Sequence, residues 1–213
     1  MTPWLLRALL VAAGLGAWFW TQALIAKRSF PDGRIGDALH DVLAPLHRLL
    51  LDNPRWADRL LGVTSGLIDV LGVFLVVRAI AGPSIRPFLG LLVLFALRQL
   101  CQGLCALPAP DGMIWRHPGF PSLLVTYGTA NDLFFSGHTA LAVYGCLELG
   151  HLGGPAWAVA GVVVAVVEVV TVLVLRAHYT MDVFTGAVTA LWVFTVAADL
   201  APWVDRLVAR VVG

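Results

Sequence analysis

Charge and cysteine are both scarce in this chain. Asp, Glu, Lys and Arg make up 13% of its 213 residues, where soluble domains carry about 25%. The 14 basic and 13 acidic residues nearly cancel to a formal net charge of +1, so no excess of one sign points to nucleic acid. Its three cysteines form no paired framework: Cys101 and Cys105 stand one helical turn apart and Cys146 lies in another apolar run. They are read as small packing residues, without a redox or metal role. In place of charge the chain has apolar side chains, 59% of the total, above the roughly 45–50% of soluble domains. That composition excludes an ordinary soluble enzyme and predicts an all-α, polytopic membrane protein. At this length one membrane-embedded domain, 1–213, accounts for the chain.

Six runs approach the roughly 20 residues that cross a bilayer: 4–26, 61–81, 87–107, 134–152, 155–176 and 178–198. Glycine, proline or charge separates them, as expected where helices stop. The first run lacks an obvious cleavage site and is read as a retained helix, not a signal peptide. Between the first and second helices, Ile35, Leu39, Leu43, Leu46, Leu49 and Leu50 alternate with Asp37, Asp41, His47 and Arg48. This spacing predicts an amphipathic helix on the membrane surface. A short interfacial tail is expected over 202–212.

Six crossings put the loops after helices one, three and five on one face. Two histidine segments open helices there: Phe134-Phe135-Ser136-Gly137-His138-Thr139 and His178-Tyr179-Thr180-Met181-Asp182. At a rise of about 1.5 Å per residue, His138, His178 and Asp182 fall within about 6–8 Å of that face. Titratable groups at helix mouths in an apolar protein mark chemistry. His178 and Asp182 share a helix face, so the carboxylate can orient the imidazole as a nucleophile or base. Ser136 and Gly137 leave free N–H groups at a helix start, a cradle for anionic oxygens. Deeper in the bilayer, Asp69, Arg98 and Glu168 form a second layer. Either Asp69 and Arg98 are a structural ion pair, or Arg98 reaches a phosphate with Asp69 or Glu168 holding it. His40, His47, His117 and His151 are read as surface histidines.

The motifs Ser136-Gly137-His138-Thr139 and His178-Tyr179-Thr180-Met181-Asp182-Val183 resemble the sphingomyelin synthase branch of the type 2 phosphatidic acid phosphatase superfamily. Phe30-Pro31-Asp32, and Arg98 with Leu107-Pro108-Ala109-Pro110, are weaker matches. The resemblance implies that His178, oriented by Asp182, attacks a lipid phosphorus while His138 protonates the departing alcohol. A phosphohistidine then passes its head group to water or to a lipid alcohol such as ceramide or diacylglycerol. Asp132 resembles an acidic residue that precedes the family's first motif, and Tyr179 joins Ser136, Gly137, Arg98 and Asp132 as substrate-binding residues. No cofactor is implied. The partners are a phospholipid donor, an acceptor and the membrane.

Competing readings are a phosphatase or phospholipase-C-like hydrolase using the same site, a metal-dependent hydrolase with His138, His178 and an aspartate as ligands, and a transporter lined by Asp69, Arg98 and Glu168. Loop charges favour a cytoplasmic site, whereas the resemblance implies one facing the periplasm or lumen of, by composition, a bacterial inner membrane.

Overall fold

The computed structural model describes Trp20 and residues 35–105, 107–117, 119, 122–124, 127 and 133–212. The chain divides into two compact units, Met1–Gly36 and Asp37–Gly213. The predicted helix over 4–26, the Phe30-Pro31-Asp32 match and Asp132 lie outside the described residues.

Seven helices are present among the described residues: α1 Ala38–Val42, α2 Ala44–Asp52, α3 Pro54–Ala81, α4 Arg86–Leu104, α5 Gly137–Gly153, α6 Pro155–Val174 and α7 Thr180–Val212. Prolines stand in the first turn of α2, α3, α4 and α6, where the missing N–H costs nothing and the fixed φ suits the helix. By length and composition, α3, α4, α6 and Thr180–Leu207 of α7 can cross a membrane. The protein is therefore an integral membrane protein of helices. The expected six crossings are four helices of that kind here, because the first run is not described and the run 134–152 yields a helix of 17 residues.

That short helix is the hub of the fold. α5 touches α3, α4, α6 and α7, and its Leu141, Ala142 and Tyr144 are almost wholly buried. Gly154, at φ +77°, turns the chain from α5 into α6, a conformation that favours glycine. Where the two helices cross, a Cβ on Gly161 would lie 2.7 Å from the Cα of Cys146, so glycine permits the close approach. Toward the same end of α5, Glu148 meets Arg86 at 3.2 Å. The sequence reading passed over this buried pair.

Three boundaries differ from expectation. α3 begins at Pro54, since charges at Arg55, Asp58 and Arg59 flank Ala57 and Leu61, which are fully buried. The expected interfacial tail instead continues α7, with Pro202 inside the helix; Asp205 on that extension accepts the Ile85 N–H at 3.0 Å, tying it to the start of α4. The amphipathic segment is two helices, broken at Leu43 ahead of Pro45. Leu39, Val42, Leu46 and Leu49 are exposed, while His40, His47 and Leu50 turn inward.

Candidate active site

The two histidine segments meet through their backbones. Ser136 N–H donates to the carbonyl of Asp182 at 3.1 Å. Ser136 caps α5, its hydroxyl accepting from the N–H of Thr139 at 3.3 Å. Just before it, Phe135 has φ +85°, a left-handed conformation that is costly away from glycine. A Cβ on Gly186 would stand 2.7 Å from the Ser136 carbonyl oxygen. Glycine there lets α7 come against the start of α5.

His178 is buried and held through one edge of its ring. Its Nδ1–H donates to the carbonyl of Leu133 at 3.0 Å, and Asp182 Oδ2 stands 3.4 Å from the same nitrogen. A carbonyl can only accept, so Nδ1 carries a proton, and in the neutral ring the lone pair is on Nε2. Asp182, completely buried, also accepts the Tyr179 N–H at 2.9 Å.

A cavity of about 230 Å³ lies beside this pair, lined by His138, His178, Gly137 and Arg98, and by the apolar groups Phe95, Trp115, Leu133 and Leu141. The Nε2 of His138 is buried without a hydrogen-bond partner among the described residues, and the His138 ring meets Trp115 edge-on at 5.2 Å. Gly137 and Arg98 are neighbours: a Cβ on Gly137 would stand 2.9 Å from Arg98 Nε. The glycine makes room for the guanidinium at the N-terminus of α5. Thus two imidazoles, a guanidinium and a helix start converge on one space, a combination suited to a phosphate diester.

Of the remaining expected site residues, Tyr179 stacks on His40 with ring centres 5.7 Å apart and donates its hydroxyl to the Pro108 carbonyl at 3.0 Å. Asp69 accepts the N–H groups of Leu123 and Leu124, each at 2.8 Å, and so fastens a loop that contributes Leu124 to the cavity. Glu168 is fully buried in α6, and among the described residues neither of its oxygens has a hydrogen-bond partner. Among the described residues no group of three or more His, Cys, Asp or Glu is placed to hold a metal ion.

His40 and His47 depart from the reading as surface histidines. His40 Nε2–H donates to the carbonyl of His178 at 2.9 Å, and His47 Nδ1–H donates to that of Val174 at 2.8 Å. Their seven-residue spacing, two helical turns, was the available signal that they share a face. Asp37 caps α1 through the N–H groups of Leu39 and His40 and also accepts the N–H and hydroxyl of Thr180, both at 2.6 Å. Burial alone would raise the Asp37 carboxyl, but the Thr180 and His40 interactions outweigh it and hold it below the usual carboxylate value.

Fold and site together define a class: helical membrane proteins with a paired-histidine, arginine-lined cavity. More narrowly, the AtPDCT1/2 family model matches residues 37–199, and the chain belongs to that family. This corrects the assignment to the sphingomyelin synthase branch of the phosphatidic acid phosphatase superfamily: that resemblance stood on short segments, whereas the family match spans most of the chain. Neither the curated proteins nor the solved structures provide a match.

Proposed function

We propose that the protein moves a phosphocholine head group from phosphatidylcholine to a lipid alcohol of the diacylglycerol type, through a phosphohistidine on His178. Membership of a family described as phosphatidylcholine:diacylglycerol cholinephosphotransferase-like supports the reaction class. The observation that carries the mechanism is the bond from His178 Nδ1–H to Leu133, with Asp182 behind it, which reserves Nε2 for attack.

In the first step Nε2 attacks the phosphorus, the ester P–O bond to diacylglycerol breaks, and His138 gives its proton to the departing oxygen. The anionic diester favours the protonated form of His138, and Arg98 with the N-terminus of α5 balances charge on the phosphoryl oxygens. In the second step the acceptor hydroxyl gives its proton to His138, its oxygen attacks phosphorus, and the P–N bond breaks to restore His178. Phe95 and Trp115 supply an aromatic wall suited to the trimethylammonium end of the head group.

The test uses purified protein in micelles with head-group-labelled phosphatidylcholine, with and without diacylglycerol whose acyl chains differ in length from the donor's, comparing wild type with His178→Ala. Label appearing in newly made phosphatidylcholine and lost in the variant is the expected result. Label released only to water makes the enzyme a hydrolase, and turnover that survives in His178→Ala overturns the phosphohistidine.

A further inference from the structure

We propose that Asp37 and His40 are positioning residues that set the His178 imidazole from the surface helix α1. This inference rests on the reading of His178 as the nucleophile. Residues 178–180 carry that side chain between α6 and α7, and α1 grips their backbone at two points. His40 holds the His178 carbonyl, while Asp37 holds both the N–H and the hydroxyl of Thr180. The His40 ring also lies on Tyr179, at an interplanar angle of 26°, so the segment is fastened at three consecutive residues. One turn earlier, His47 holds Val174 from α2.

Other links hold this stretch as well, among them Ala177 N–H to Val172 O at 2.9 Å and the Tyr179 hydroxyl to the Pro108 carbonyl, but the donor that meets the His178 carbonyl comes from α1. His178 N–H reaches Val172 O only at 3.4 Å, and Asp182, beside the ring, lies in the first turn of α7, whose first residue, Thr180, Asp37 anchors. Without α1, the buried carbonyl of His178 would lack the His40 donor, and an unmet buried carbonyl favours rearrangement. The ring would move with its backbone, and a displacement of about 1 Å at a reacting atom costs on the order of 100-fold in rate. Substrate binding would change little, since Arg98 and Gly137 lie on α4 and α5. The family match begins at Asp37 itself, so both gripping residues lie within the matched segment.

The experiment uses full-length protein in micelles with three changes at His40 and one at Asp37. His40→Gln retains a donor near the Nε2 position, His40→Phe keeps the ring without it, and His40→Ala removes both. Expected are a kcat near wild type for His40→Gln, losses of about 10- to 100-fold for His40→Phe and Asp37→Ala, and KM within about twofold throughout. Nitrogen-15 NMR of labelled histidines should show His178 leaving its Nδ1–H tautomer in His40→Phe and returning in His40→Gln. Wild-type kcat and unchanged His178 signals in His40→Phe would overturn the positioning role. Full transfer in His178→Ala would overturn the nucleophile itself, a separate outcome because the NMR readout does not depend on turnover.

Discussion

Replacing Gly137 with alanine tests the phosphate end of the cavity by a single methyl group. The added Cβ would lie 2.9 Å from Arg98 Nε and 3.3 Å from its Cδ, closer than two such atoms normally approach, so the arginine has to move. The backbone has no reason to object: residue 137 is the first of α5, and alanine is a better helix former than glycine by about 1 kcal/mol. The fold should therefore survive while the guanidinium is displaced from the phosphate. A hydrogen bond to a charged group contributes about 1.5–3 kcal/mol, and about 1.4 kcal/mol is tenfold in rate. The expected loss in kcat/KM for labelled phosphatidylcholine is therefore about 10- to 150-fold, with an unchanged melting temperature. Because the methyl acts through Arg98, the double variant Gly137→Ala, Arg98→Ala should be no slower than Arg98→Ala alone. Wild-type kcat/KM in Gly137→Ala, or losses that add in full in the double variant, would refute the placement of Arg98 at the helix start.

Two further outcomes follow from contacts around the site. Gly186→Ala sets a Cβ 2.7 Å from the Ser136 carbonyl oxygen; backbone cannot yield as a side-chain tip does, so a net destabilisation of about 1–3 kcal/mol is expected, read as a lower unfolding midpoint in micelles, and an undiminished midpoint would show that α7 is not pressed against α5 there. Stability should also fall with acid in two stages. Burial holds the His47 imidazole below its usual 6.5, so below that pH the unfolded chain takes up a proton that the folded chain resists. Asp37, held below its usual 3.8, contributes stability that is present above that value and lost as pH falls through its lowered folded value. Thermal unfolding from pH 7 to pH 3 should show both declines, and His47→Asn, which keeps a donor near Nδ1, should remove the first; a midpoint that is flat between pH 7 and pH 5 refutes the His47 stage.

Local chemistry was legible in the sequence, and contact between distant segments was not. Proline and glycine marked the helix starts and turns because their backbone limits act without any neighbour, as at Pro155 and Gly154. The four-residue step from His178 to Asp182 likewise pointed to a pair, and the two side chains do meet, although His178 precedes α7 and does not lie on its face. Asp69 was different: its sequence position says that a buried carboxylate needs a partner, but Arg98 and the N–H groups of Leu123 and Leu124 satisfy that need equally well on paper. Only the path of the 122–124 loop decides that its oxygens meet those N–H groups. The same ambiguity hid His40 and His47. An amphipathic pattern assigns leucines to lipid and polar residues to water, yet imidazole is small and apolar enough to pack inward while its N–H satisfies a buried carbonyl. The segment that looked like a membrane-surface accessory thus reaches the backbone of His178 itself. Family assignment was limited in the same way: two histidine motifs describe a chemistry that more than one family can use, whereas the match over 37–199 includes the helices that hold those motifs in place.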